Sequence, residues 1–142
     1  RPPTRYAARR YRGKLVRLGC LAGASALITN VLFCPGIAWR GKAFSADGTH
    51  GTNLFGSKLA PIRQRRSFAA RRGPSLLDGN ECLVLDYASA LHGDALWGGA
   101  LGMRDELREV APGVLLGLGS MTATGGVHNC APFVLLAEDA TL

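Results

Sequence analysis

Acidic side chains are almost missing from the first half of this chain: residues 1–77 hold Asp47 alone against 15 Lys and Arg. Residues 78–142 reverse the balance, with 9 acids against Arg104 and Arg108, so the net charge of +7 is the sum of +14 and −7. This asymmetry argues either for an anionic partner of the first half or for attraction between the two halves within one fold. Charged residues are scarce overall, at 19% against 47% hydrophobic ones, which excludes a disordered polyelectrolyte. Aromatics are few, at 7%, and Phe68 stands alone in the basic run, so stacking on nucleic-acid bases is poorly served. The 4 cysteines form no Cys-x-x-Cys pair, and His50, His92 and His128 are far apart, so no zinc site is expected. Cys20, Cys34, Cys82 and Cys130 have apolar neighbours and read as buried free thiols. A Cys82–Cys130 bridge would need adjacent strands and an oxidising compartment.

Nucleophile and nucleotide motifs are lacking too. There is no Gly-x-Ser-x-Gly, and Ser120 in Gly119-Ser120-Met121 has no second glycine. Gly117-x-Gly119 carries Thr122 where a dinucleotide fingerprint needs glycine. Asp105, Glu106 and Glu109 could pair for acid–base work, but Arg104 and Arg108 beside them point to a solvated or salt-bridged cluster. Asp86, next to Tyr87, is the best candidate for a partly buried acid, against the plainer reading of a strand-end residue facing water. No catalytic residue, metal or cofactor is therefore assigned, and a non-enzymatic protein is expected.

What is present is a chain of 142 residues, the size of one domain, with 19 glycines and 7 prolines that imply many turns between short elements. Residues 1–14 have no acid and no hydrophobic period, and read as a basic arm like an organelle transit peptide or the mature start after one. Leu18 to Trp39 is a run of 22 residues without a charge. Pro35 and Gly36 should end a helix over residues 15–34, of about 28 Å, near the thickness of a bilayer core. Gly19, Ala22, Gly23, Ala26 and Asn30 share one side of that helix, a small-residue stripe that admits another helix in lipid or packs on a sheet in water. A membrane-associated helix, a buried soluble helix and a secretory signal all fit this segment.

Beyond it, residues 37–142 read as a small β domain with a basic connector at 57–74. Ile37–Phe44, Cys82–Tyr87, Val114–Gly119 and Pro132–Ala137 have strand character; Arg104–Val110 has helix-forming composition, yet Pro112-Gly113 follows at once and the pair with Val114–Gly119 suggests a hairpin. Residues 88–102 fit a loop or short helix. Five or six short strands after one helix predict a mainly β fold: a small antiparallel sheet or a lipocalin-like barrel, preceded by an apolar N-terminal helix. Trp39, Phe44, Leu83, Leu85, Tyr87, Leu116 and Phe133 are expected to line its core or an apolar pocket.

Several short stretches resemble a known group. Trp39-Arg40-Gly41-Lys42-Ala43-Phe44, Leu77-Asp78-Gly79, Leu83-Val84-Leu85-Asp86-Tyr87 and Arg104-Asp105-Glu106-Leu107-Arg108-Glu109-Val110 with Pro112-Gly113 are similar to uncharacterised, mostly bacterial proteins that look like small lipocalin-type (calycin-like) barrels. The resemblance spans roughly residues 37–138. It implies the fold and an apolar ligand, but no established activity.

The functional expectation is a non-enzymatic accessory subunit of an organellar membrane complex, its partners being other subunits and lipid. The helix would dock through the small-residue stripe, and Arg63, Arg65, Arg66, Arg71 and Arg72 would meet an anionic surface. A plastid thylakoid is slightly favoured over the mitochondrial inner membrane. The alternatives are a lipocalin-like carrier of a lipid, isoprenoid or pigment, and a subunit of an RNA–protein assembly, although nucleic acid is the less favoured partner.

Overall fold

The computed structural model describes residues 4–16, 38–90 and 95–138. They form a closed antiparallel barrel of eight strands, each paired with its sequence neighbour. The strands are β1 (Arg10–Leu15), β2 (Ala38–Phe44), β3 (His50–Ser57), β4 (Ala60–Pro74), β5 (Glu81–Asp86), β6 (Met103–Ala111), β7 (Val114–Met121) and β8 (Ala131–Ala137). Closure is made by β8 against β1, where Tyr11 faces Ala137 and Leu15 faces Phe133. A closed sheet leaves no open edge, which suits strands this short.

Period-two alternation sends one side chain in two to the bore. Tyr11 of β1, Phe44 of β2, Phe68 and Ala70 of β4, Leu83 and Leu85 of β5, Leu107 of β6, Leu115 of β7 and Phe133, Leu135 and Ala137 of β8 form one core with Tyr6 and Tyr87. Rings fill one end in a chain of contacts: Tyr11 to Phe44 at 5.8 Å, Phe44 to Phe68 at 5.5 Å and Phe68 to Tyr87 at 5.8 Å between centroids. Each fully buried aromatic or leucine stabilises the fold by about 1.5–3 kcal/mol relative to exposure. Inward glycines make room for the rings. A Cβ on Gly13 would lie 2.3 Å from the Trp39 ring, one on Gly51 2.5 Å from Phe68, and one on Gly117 2.3 Å from Phe133.

Two irregularities shape the bore. The β2–β3 register slips between Trp39, opposite Phe55, and Gly41, opposite Leu54, so Arg40 is an extra residue. This bulge lets Trp39 and Lys42, three positions apart, both reach Asn53 in the bore. Gly41 sits at φ 144°, and a Cβ there would lie 1.8 Å from the Tyr11 carbonyl oxygen, so only glycine fits. The second slip lies in β4, between the Asn53–Arg65 and Gly51–Phe68 pairs, with Arg66 at φ 58°.

The structure corrects several sequence expectations. The connector expected at 57–74 contains β4, the longest strand, in which Arg63, Gln64 and Arg65 themselves pair with Phe55, Leu54 and Asn53 of β3. The described part of the segment expected as a basic arm at 1–14 is not outside the core: it supplies a 3-10 turn at Thr4–Tyr6 and β1, with Tyr6 and Tyr11 buried, and Leu15 ends β1 rather than opening a helix. Eight strands replace the five or six expected. Leu116 is 41% exposed, on the outer face between inward Leu115 and Gly117, and belongs to neither core nor pocket. The proposed helix beyond residue 16, with Gly19, Ala22, Gly23, Ala26 and Asn30, lies outside the described residues, as do Cys20 and Cys34. Among the described residues, no helix is long and apolar enough to cross a membrane.

Candidate functional site

An ammonium group sits in the middle of the barrel. Lys42, on β2, is 1% exposed, and its Nζ is 2.7 Å from Oδ2 of Asp105 on β6, itself 1% exposed. In an eight-strand ring, β2 and β6 are opposite walls, so the ion pair spans the bore. Two charges taken out of water together are costly unless their remaining hydrogen-bonding capacity is met. Here almost all of it is.

Lys42 Nζ also donates to Asn53 Oδ1 at 2.7 Å and to the Tyr87 hydroxyl at 2.8 Å, which uses its three hydrogens. Asn53 Oδ1 accepts a second bond, from Trp39 Nε1 at 3.0 Å. Asn53 Nδ2 donates to the Arg66 carbonyl and to the Tyr87 hydroxyl, both at 2.9 Å. Since indole and ammonium can only donate, this arrangement leaves one orientation for the amide. The Tyr87 hydroxyl donates its own hydrogen to Asp105 Oδ2 at 2.9 Å. The β4 bulge serves the same network by turning the Arg66 carbonyl toward Asn53.

Rings surround the ammonium. Nζ lies 5.2 Å from the centroid of Phe68, 5.4 Å from Phe133, 5.5 Å from Tyr87 and 5.6 Å from Trp39. Their negative faces stabilise a cation that water no longer solvates. Burial pushes the Lys42 pKa down, and the Asp105 carboxylate opposes that fall. Burial, and then the Asp105 charge, push the Tyr87 phenol well above its ordinary 10.0, so it stays a donor.

One acceptor is left over. Asp105 Oδ1 is buried and has no hydrogen-bond partner among the described residues. It faces Gly119 of β7, where a Cβ would approach it to 3.1 Å, and Asp105 and Gly119 are among the residues that line a cavity of about 60 Å³. That is room for roughly four waters, or for the ring end of a small organic molecule. The walls are Leu15, Trp39, Trp97, Met103, Met121 and Phe133, with Lys42 and Asp105 on the floor and Thr124 and Asn129 among the remaining lining residues. Trp97 comes from a π-helical turn at Ala95–Ala100, inside the region expected as loop or short helix, and packs with Phe55. The Arg66 guanidinium lies 4.6 Å from its ring centroid. A wider hollow of about 300 Å³ lies over β2–β4 near His50 and Gln64, and none of the buried charges lines it.

The expected pocket residues divide. Trp39 and Phe133 line the cavity, while Phe44, Leu83, Leu85 and Tyr87 belong to the core, with Tyr87 shared with the polar floor. Arg63, Arg65, Arg71 and Arg72 are exposed along β4, and Arg72 pairs with Glu81. Arg66 is half-buried and faces Trp97 instead of joining that surface. Asp86 takes the plainer reading: it caps the strand end through Ala88 N, Ser89 N and the Ser89 hydroxyl. Asp105 and Glu106 are not a solvated pair. Glu106 is 7% exposed on the other face of β6, held by Ser75, Leu76 N and Arg104. Cys82 and Cys130 are free thiols.

Lys42 and Asp105 were missed as site residues, although a signal was there. Met103, Asp105 and Leu107 alternate along β6, which places the acid on the apolar face. Lys42 stands two positions before Phe44 in the same way.

A closed eight-stranded antiparallel barrel with a cavity in its bore is consistent with a small calycin-like barrel. A crystal structure of a protein from Thermomonospora curvata is similar to it, with a TM-score of 0.59 and 18% identity over 96% of this chain and 78% of that one. That likeness concerns the fold. No family model and no curated protein matches the chain.

Proposed function

We propose that this barrel is a non-enzymatic binding protein, a carrier for a small and mostly apolar organic molecule held in the bore. The observation that carries the reading is the cavity itself, with apolar walls of Trp39, Trp97, Met103, Met121 and Phe133 over a built polar floor. Binding sites for small molecules combine such walls with a few placed polar groups. The floor supports binding over chemistry. All three hydrogens of Lys42 are committed, so its amine has no lone pair for a covalent step, and the Tyr87 proton is committed to Asp105.

The test uses the chain's own reporters. It has 2 tryptophans, and both line the cavity. Titration with small cyclic compounds should change tryptophan emission saturably. Ala131→Phe, which fills the cavity from β8, should abolish the response while far-UV circular dichroism is retained. Absence of any saturable change, or equal binding by Ala131→Phe, would refute the carrier reading.

The accessory-subunit role is a second reading, favoured by the β3–β4 hairpin. Leu59 is 99% and Ile62 54% exposed beside the exposed Arg63 and Arg65, an apolar tip on a basic strand. Such a tip suits the anionic surface of a membrane assembly. Loss of sedimentation with phosphatidylglycerol vesicles after Arg63→Gln/Arg65→Gln supports it, and unchanged sedimentation refutes it.

A further inference from the structure

We infer that the molecule held in the bore presents a neutral hydroxyl group, an alcohol or a phenol, to Asp105 Oδ1. The inference rests on the carrier reading and specifies its ligand. Within the floor, the hydrogens of Lys42, Asn53 and Tyr87 are all matched to acceptors, and the accepting capacity of the Asn53 and Tyr87 oxygens is filled. The imbalance is a single acceptor, Asp105 Oδ1, buried next to Gly119, and both residues line the cavity. A ligand that completes this site must therefore donate a hydrogen bond to it. An acceptor-only ligand leaves the carboxylate oxygen unmatched in an apolar surround, which is unfavourable.

Charge selects among donors. The ion pair of Lys42 and Asp105 already cancels within the bore. A carboxylate ligand would set a second anion against Oδ1, where low polarity magnifies repulsion. An ammonium ligand would bring a net positive charge next to Lys42, whose own charge occupies the ring of Phe68, Phe133, Tyr87 and Trp39. A hydroxyl donates without adding charge, and its carbon frame meets the apolar wall. Gly119 is the access point, because a side chain there would press on Oδ1.

The experiment is a matched ring series, cyclohexanol, methylcyclohexane, cyclohexanecarboxylate and cyclohexylammonium, titrated into the full chain and followed by tryptophan emission. Cyclohexanol should bind between about tenfold and a hundredfold more tightly than methylcyclohexane, the effect of one hydrogen bond to a charged acceptor. Both ions should bind more weakly than the alcohol. Gly119→Ala places a methyl group against Oδ1 while its other neighbours stay at ordinary contact, 3.6 Å from the Ala131 carbonyl oxygen and 3.7 Å from Phe133. It should bind the alcohol and the hydrocarbon equally, the cavity space taken by the methyl group weighing on both alike. Equal binding of alcohol and hydrocarbon, tighter binding of either ion, or a preference that survives Gly119→Ala overturns the hydroxyl assignment and leaves the carrier reading standing. Failure of every member to bind overturns the carrier reading, and this assignment with it.

Discussion

Replacing Lys42 with methionine keeps most of the side chain's volume and removes its charge. The Asp105 carboxylate would then stay buried with one remaining donor, the Tyr87 hydroxyl at 2.9 Å, after losing Nζ at 2.7 Å. Asn53 Oδ1 would keep only the Trp39 indole, and Tyr87 only the Asn53 amide as donor. Breaking a buried ion pair from one side costs about 3–5 kcal/mol, because the survivor is an uncompensated charge. Asp105→Leu should cost a similar amount by stranding the ammonium. The double variant Lys42→Met/Asp105→Leu leaves no charge buried in the bore. Its main loss is the acceptor of the Tyr87 proton, about 1–3 kcal/mol. The two singles together should therefore exceed the double by about 3 kcal/mol or more, far outside the additivity expected of independent sites. Against a total stability of about 5–15 kcal/mol, each single variant should move a urea midpoint visibly. Urea melts followed by far-UV circular dichroism measure the cycle. Additive costs, or a Lys42→Met variant as stable as the parent, would refute the view that the pair is a closed, mutually dependent unit.

Gly41→Ala should be among the most disruptive single substitutions, costing more than about 3 kcal/mol, since its Cβ meets the Tyr11 carbonyl oxygen at 1.8 Å and its φ is 144°; soluble yield and melting temperature check it. Leu135→Ala, at 0% exposure, should cost about 2–5 kcal/mol, whereas Leu116→Ala, 41% exposed, should cost far less, as paired urea melts would show. Burial raises the Glu106 carboxyl, but hydrogen bonds from Leu76 N, Ser75 and Arg104 outweigh it and hold the group below its ordinary 4.5. Its stabilisation is complete above that pH and is lost as pH falls through the depressed folded value, so Glu106→Gln should flatten the decline of melting temperature in acid relative to the parent.

Much of the barrel could be read from alternation. Strands at Ala38–Phe44, Glu81–Asp86, Val114–Met121 and Ala131–Ala137 lie within a residue or two of where apolar periodicity put them, and Pro112-Gly113 joins the expected hairpin. Two strands stayed hidden because their composition mimics surface chain. β1 is Arg-Tyr-Arg-Gly-Lys-Leu, where three cations mask the single buried Tyr11, and β4 carries its arginines on a strand bent by a bulge. The site was hidden for a different reason. Arg104 and Arg108 are the sequence neighbours that make Asp105 look paired, yet its partner is Lys42, on the opposite wall.

The sequence alone determined that the chain is mainly β, rich in turns, basic in its first half and without a recognisable nucleophile or metal motif, because these properties follow from local composition and spacing. Only the tertiary structure decided that Lys42 and Asp105 meet, that Gly119 opens a space beside the remaining carboxylate oxygen, and that Trp39 and Trp97 wall it. Ring closure brings together strands separated by dozens of residues. A charge placed in the bore is tolerable only when its partner arrives from the far side, and no local pattern records that pairing.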